Sequence, residues 1–249
     1  MIERTSHGDI AVLRIQHGKA NALDLELCQA LTRELEAFRQ SSSHALVITG
    51  SNKIFSAGVD LLRVVDEGAP YVRAFLPAMN GAFETLFSLL KPVVAAVNGH
   101  AIAGGCILAA AADRRLMIRD AGRIGIPELL VGVPFPVVPL EIMRLAAGRD
   151  LSSLAYTGVT YGAEEAQRNG LVDGVVDGER ILEEAIRVAE SLAAIPPTAF
   201  ALTKRQLREP VLERIHVGSA IDALVLNAWT SEETLSAIRL YVERTLRKS

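Results

Sequence analysis

The chain has 249 residues, half of them apolar and 5% aromatic, and its 26 basic and 29 acidic residues leave a formal net charge of −3. That length suits one large domain, or one domain with a small appendage, around a sizeable core, and no basic stripe marks a nucleic-acid partner. Cys28 and Cys106 are the only cysteines, too few for a disulfide framework or a zinc cluster, which fits a reducing compartment.

The N-terminal MIERTSHGDI is charged from its third residue and has no apolar run of the secretory kind, so a cytoplasmic location is expected. Ile10–Gln16 and Ala45–Gly50 are short β-branched runs that predict strands. Between them Leu25, Cys28, Leu31, Leu35 and Phe38 recur at helical spacing behind Asp24, a residue suited to capping a helix. SNKIFSAGVDLL reads as a loop running into helix, and helix is predicted from about Pro70 to Leu90, stopped by Pro92. From Val93 to Ala112 no residue carries a full charge, about the length of a membrane span. Asn98-Gly99-His100 and Gly104-Gly105 interrupt it with groups that lipid could not satisfy. A strand at Val93–Val97, a turn and a buried helix over roughly Gly105–Ala112 are expected instead. Arg114–Ile118 reads as another strand. Ile181, Leu182, Ala185, Ile186, Ala189 and Leu192 mark one amphipathic face, Pro196-Pro197 breaks the chain, and helix is predicted from Thr198 to about Leu246. Alternating strands and helices thus give way to a helical tail, an α/β class. A boundary falls at Pro196, dividing residues 1–195 from 196–249.

Several familiar sites are absent from the sequence. Gly99 and Gly104 have the glycine spacing of a phosphate-binding loop, but Gly105 and Cys106 stand where Lys and Ser/Thr belong. No G-x-S-x-G elbow occurs, and no two histidines are spaced for a metal. His7, His17, His44, His100 and His216 are scattered. His100, beside the glycine segment, is read as structural.

Two glycine-bearing turns each join a hydrophobic strand to a helix start: Phe55-Ser56-Ala57-Gly58-Val59-Asp60-Leu61 and Asn98-Gly99-His100-Ala101-Ile102-Ala103-Gly104-Gly105-Cys106. The first N–H groups of a helix lack internal partners, and small residues let a ligand oxygen approach the backbone. If the two ends converge, the N–H groups of Val59 and Gly104 form an oxyanion hole. Taken singly, each is equally a tight strand-to-helix turn. A third segment, Gly125-Ile126-Pro127-Glu128-Leu129-Leu130-Val131-Gly132, sets an acid among apolar neighbours. Such an acid beside Pro at a first helical turn often only complements the helix dipole. Burial among Ile126, Leu129, Leu130 and Val131 would instead raise its pKa toward the range of a general base.

In order and separation these three segments resemble the signatures of the enoyl-CoA hydratase/isomerase (crotonase) superfamily. Lys19-Ala20-Asn21-Ala22-Leu23, Thr157-Gly158 and Ala163 to Gly170-Leu171-Val172-Asp173 extend the resemblance over nearly the whole chain. It implies a crotonase-like spiral of ββα units, followed by C-terminal helices that build a homotrimer or a dimer of trimers. It also implies an acyl-CoA thioester substrate, coenzyme A being part of that substrate, with no separate cofactor and no metal. Carried over by position, Val59 and Gly104 supply the oxyanion amides and Glu128 the acid/base. Lys19, Ala20 and Leu23, with Ala57, Gly58, Val59, Asp60 and Leu61, would lie along the CoA moiety.

Hydratases of the superfamily place a second glutamate where this chain has Ile107. One carboxylate suffices for a 1,3-proton shift, in which the base takes a proton from C2 of a 3-enoyl-CoA and returns it at C4. The pattern resembles the monofunctional Δ3,Δ2-enoyl-CoA isomerases, and Val133-Pro134-Phe135-Pro136-Val137-Val138 replaces a glycine-rich run of the hydratases with a bulkier, drier lining. Isomerisation is therefore the expected activity, hydration of a 2-enoyl-CoA through Glu128 alone the nearest alternative, and non-catalytic acyl-CoA binding the alternative of another class. Cys106 is read as a small core residue rather than a nucleophile.

Overall fold

In the computed structural model, which describes residues 1–245, β1 (Ile2–His7) and β2 (Ile10–Ile15) form an antiparallel pair, and α1 (Leu25–Gln40) follows. The Asp24 carboxylate accepts the Leu27 N–H at 2.7 Å and so caps α1, and Leu27, Cys28, Leu31, Leu35 and Phe38 form its buried stripe. Three β-β-α turns come next. The first is β3 (Ala45–Thr49), β4 (Ile54–Ser56) and α2 (Leu61–Phe87); the second is β5 (Val93–Val97), β6 (His100–Ile102) and α3 (Gly104–Ala110). The third is β7 (Arg114–Ile118), β8 (Ile124–Gly125) and the short α4 (Glu128–Val131).

First strands and second strands of these turns pair separately. A six-stranded sheet runs β1-β2-β3-β5-β7-β10, and a four-stranded sheet runs β4-β6-β8-β9, where β9 is Thr160–Tyr161 and β10 is Gly174–Val176. All pairings are parallel except β1 with β2 and β8 with β9. This is the spiral that the crotonase resemblance implies. The repeat is invisible in the sequence because its helices have 27, 7 and 4 residues. β3 and β5 are buried along their whole length because the large sheet is covered on both faces. One face packs on α1 and α2 through Leu46, Ile48, Ala95 and Val97; the other packs Val47, Val94 and Ala96 beneath α8 (Ile181–Ala193).

In chain order α5 (Val137–Ala147), α6 (Leu151–Thr157) and α7 (Ala163–Arg168) come between α4 and α8. The tail comprises α9 (Pro197–Val217), α10 (Ser219–Trp229) and α11 (Glu232–Thr245); Leu246, the predicted end of its helical pattern, lies outside the described residues. The tail packs on the core through Val211, Ile215, Trp229 and Ile238.

Several expectations shift. The helix predicted from Pro70 begins at Leu61, capped by the Asp60 carboxylate, and bends at Gly68, whose φ of 65° and ψ of −152° are non-helical. Gly68 and Pro70 mimic a helix start, but here they mark a kink inside one longer helix. β1 carries no apolar alternation because five of its six residues are exposed at the edge of the sheet. The uncharged stretch from Val93 to Ala112 resolves into β5, β6 and α3, and among the described residues no single helix is long and apolar enough to cross a membrane.

Candidate active site

The small sheet sets the geometry. β4, β6 and β8 lie side by side and parallel, with Ser56 paired to Ala101 and Ile102 to Gly125. Their C-terminal ends therefore fall on one edge. Immediately beyond those ends come Val59, Gly104 and Glu128, so three segments distant in sequence reach the same place.

Backbone hydrogen bonds hold the first turn against the loop before α1. Ala57 N–H donates to Ala20 C=O at 3.0 Å, Leu23 N–H to Gly58 C=O at 2.7 Å, and Asp60 N–H to Leu23 C=O at 2.9 Å. The two segments expected to bind CoA, Lys19–Leu23 and Ala57–Leu61, are thus one joined surface on which Lys19 and Ala57 are exposed. The parallel bridge between Leu23 and Val59 uses the amides on either side of Val59 and leaves the Val59 N–H over. Gly104 opens α3, so its N–H has no intrahelical acceptor. Among the described residues neither N–H donates to a protein acceptor.

Glycine is required where the two turns meet. Gly58 has φ +85°, and a Cβ there would stand 2.6 Å from Ile102 C=O and 3.2 Å from the Gly104 nitrogen. A Gly104 Cβ would lie 2.7 Å from Leu23 Cδ1. Ala103 carries strain of its own, with φ 51° and ψ −124° outside any helix or strand. It is pinned by its N–H to Gly125 C=O at 2.8 Å and by the Cys106 and Ile107 amides on its carbonyl, at 2.8 and 3.2 Å. Gly58→Ala should therefore lower unfolding free energy by about 1–3 kcal/mol, from the positive φ alone. A denaturant midpoint left unchanged would show that the turn is not so constrained.

Glu128 begins α4, 8% exposed, directly after Pro127. Burial pushes its carboxyl up to about 8, with its own backbone N–H opposing. Its Oε2 is buried without a protein hydrogen-bond partner. A buried, unsatisfied carboxylate costs stability and marks a group kept for a purpose. The Glu128 charge is felt by the Cys106 thiol in α3, which burial first, and Glu128 next, push well above the usual thiol range. Cys106 is fully buried and belongs to the core. Ile107, one residue on, is 2% exposed.

The loop after α4 is clamped by the helical tail. Trp229 Nε1–H donates to Pro134 C=O at 2.8 Å, and the Asp222 carboxylate accepts the Val137 N–H at 2.8 Å. Phe135 sits partly buried between these anchors. Sequence reasoning missed these two residues, because nothing within α10 signals a partner 95 positions earlier in the chain.

Asn21 organises the loop expected to lie along CoA. It adopts φ 48°, is 1% exposed, accepts the His17 N–H at 2.9 Å and donates through Nδ2 to Ile54 C=O at 2.9 Å. Its carbonyl accepts Ser56 Oγ–H at 2.8 Å. A single Asn before a helix cap, tolerant of positive φ, was the available signal. His17 pairs with Asp24 at 2.6 Å. His100 lies at the opposite end of the small sheet, exposed, with Nδ1 accepting the Arg123 N–H at 3.3 Å.

Comparison with known proteins agrees with this architecture. The family profile described as "Enoyl-CoA hydratase/isomerase" matches residues 5–248. A Thermus thermophilus protein, provisionally named enoyl-CoA hydratase, is 33% identical over 244 residues, covering 95% of this chain and 96% of its own length. Carnitinyl-CoA dehydratase of Salmonella typhi is 34% identical over 207 residues, 82% of this chain and 78% of that protein. Among solved structures, a Mycobacterium tuberculosis enoyl-CoA isomerase is similar with a TM-score of 0.80 and 32% identity, over 90% of this chain and 97% of that one. Human mitochondrial Δ3-Δ2-enoyl-CoA isomerase superposes with a TM-score of 0.94 over 100% of this chain and 99% of its own, at 24% identity, a likeness of fold. With its fold, its glycine turns and a profile match along almost its whole length, the chain belongs to the enoyl-CoA hydratase/isomerase family.

Proposed function

We infer that this member of an acyl-CoA family isomerises 3-enoyl-CoA to 2-enoyl-CoA. One observation carries the reading: the converging strand ends bring a single buried carboxylate, Glu128, with an unpartnered oxygen, while the neighbouring α3 contributes the apolar Ile107. In this reading the thioester oxygen accepts from the Val59 and Gly104 N–H groups. Glu128 takes the C2 proton, the electron pair delocalises into a dienolate whose charge rests on that oxygen, and Glu128 returns the proton at C4. Each amide donor contributes roughly 3 kcal/mol to such a transition state. The prolines and Phe135 keep water from the carbons, which favours proton return over water addition. Lys19, Ala20 and Ala57–Leu61 line the CoA side of the substrate; Leu23, expected among them, is 0% exposed with its N–H and C=O bonded to Gly58 and Asp60, and holds that surface from beneath.

The names of the sequence relatives, hydratase and carnitinyl-CoA dehydratase, favour a second reading, hydration of 2-enoyl-CoA by Glu128 alone. Purified protein offered 3-enoyl-CoA and 2-enoyl-CoA separately divides the two. The isomerase converts the first to a conjugated 2-enoyl thioester, seen as new ultraviolet absorbance, and leaves the second unhydrated. Rapid appearance of 3-hydroxyacyl-CoA from the second would overturn the assignment. A homotrimer or dimer of trimers remains our reading of the assembly, supported by Leu202, Leu207, Val217, Ile221 and Leu224, exposed along α9 and α10.

A further inference from the structure

The two free amides of the candidate site belong to separate turns, and one residue, Leu23, touches both turns. Its backbone is tied to the first. Leu23 N–H donates to Gly58 C=O at 2.7 Å and Leu23 C=O accepts the Asp60 N–H at 2.9 Å, a parallel bridge centred on Val59. Its side chain, 0% exposed, reaches the second, because a Cβ at Gly104 would stand 2.7 Å from Leu23 Cδ1. That methyl group therefore rests against the Gly104 Cα with no room for a side chain between them. The next atoms around that position, Phe83 Cζ at 3.5 Å and Gly58 Cα at 3.8 Å, are at ordinary contact distance.

Leu23 is itself fixed from behind. Asp24 caps α1 through the Leu27 N–H at 2.7 Å and pairs with His17 at 2.6 Å, while the Leu25 N–H donates to Tyr71 Oη at 3.1 Å. The body of α3 is seated separately on β4, since a Gly105 Cβ would lie 2.2 Å from Ser56 C=O. Leu23 thus meets α3 at its opening residue, whose N–H is left without a protein acceptor among the described residues. In a close-packed interior such a contact transmits a displacement instead of absorbing it. The backbone of Leu23 moves with the Val59 turn and its side chain bears on Gly104, so one residue governs how far apart the two donors stand.

We propose that Leu23 is a positioning residue that sets the spacing of the Val59 and Gly104 N–H groups, and through it the strength of the oxyanion hole. Two donors serve one oxygen only when both stand about 2.7–3.1 Å from the place it occupies. A misplacement of about 1 Å at a reacting centre costs roughly 10²-fold in rate. Leu23 acts through the two amides and does not itself touch the substrate. The proposal rests on the reading of these amides as the thioester-binding hole, but not on the choice between isomerisation and hydration.

The test reads the carbonyl directly. Hydrogen bonds to a thioester oxygen weaken its C=O bond, so a saturated acyl-CoA, isotope-labelled at the carbonyl carbon, should show that infrared band at lower frequency bound to wild type than free. Leu23→Ala should lose most of this displacement, and turnover should fall about 10- to 100-fold with KM changed less than about threefold. Leu35→Ala truncates an equally buried leucine about 15 Å along α1 from its first residue; it should lose stability similarly and keep the whole displacement. Gly104→Ala should be severe alone and milder on Leu23→Ala, where the new methyl takes up the vacated contact and part of the displacement returns. A displacement retained in Leu23→Ala, an equal loss in Leu35→Ala, or simple additivity of the Leu23 and Gly104 effects would each overturn the proposal. If Leu23→Ala does not fold, Leu23→Val, which withdraws the methyl contact by one carbon, takes its place in the comparison. No displacement in wild type with the ester bound would instead overturn the oxyanion reading, and the proposal with it.

Discussion

Glu128→Gln should retain acyl-CoA binding and lose about 10²–10⁴-fold in turnover, the usual contribution of a positioned acid or base. The substitution keeps the size and the hydrogen-bonding capacity of the side chain and removes only its ability to exchange a proton. Full activity in this variant would remove Glu128 from the chemistry; loss of binding together with turnover would give it a structural role. A protein that only binds acyl-CoA would be indifferent to the change. The pH profile supplies an independent reading. Burial pushes the carboxyl up to about 8, and a base works in its ionised form, so kcat/KM should rise with pH through about 8 and flatten above it. The same shift acts on stability. The folded state keeps this proton up to about 8, whereas the unfolded chain releases it near 4.5. Glu128 therefore costs least below the unfolded value, where it is neutral in both states, and stability falls as pH rises from 4.5 to 8. Glu128→Gln should abolish that part of the slope.

Asp113→Ala should lower unfolding free energy by about 3–5 kcal/mol, the cost of leaving a buried charge without its partner. Asp113 follows α3, and its Oδ2 accepts the Val93 N–H at 2.7 Å and Lys204 Nζ at 2.6 Å, while Oδ1 accepts Arg208 Nη2 at 2.7 Å. Lys204 and Arg208 are 4% and 6% exposed, and among the described residues Asp113 is the carboxylate that pairs with either. Burial, then Arg208, push the Lys204 ammonium down to about 7, and Asp113 opposes both. Without that opposition the Lys204 amine is driven toward its neutral form, and the Arg208 cation is left buried without its carboxylate. Lys204 also donates to Lys91 C=O at 2.8 Å and Arg208 to Phe87 C=O, so the cluster is the polar seam that holds the helical tail to the end of α2 and the start of β5. Replacing all three residues by apolar ones of similar volume should recover much of the loss. A denaturant midpoint indifferent to Asp113→Ala would mean that water screens the seam.

The charge seam shows where local reading stops. Lys204 and Arg208 stand four residues apart on an exposed-looking amphipathic helix, and their partner is 91 and 95 positions earlier. The same holds at the site. Glu128 was legible because Pro127 and four apolar neighbours flank it in sequence, although only Ile126 and Val131 of those four are buried with it, Leu129 and Leu130 being exposed. Val59 and Gly104 were legible because a glycine turn between strand and helix leaves amides unused whatever lies around it. Trp229 was not, since a Trp within an apolar helical pattern looks like any other residue of that face until its surroundings are known.

Caps, apolar periodicities and glycine turns depend on groups within about four residues of one another, so the chain's local order states them directly: the Asp24 cap, the α1 stripe, the Val93–Val97 strand and the three motifs all follow from neighbours. What brings those motifs together is the parallel pairing of β4, β6 and β8, strands of two or three residues too short to show any pattern of their own. Their register comes from hydrogen bonds between segments tens of residues apart. The bend at Gly68, the covering of the Pro134 loop by Trp229 and the burial that lifts the Glu128 carboxyl likewise arise only when distant elements pack, because desolvation is a property of everything that surrounds a group and not of its neighbours in the chain.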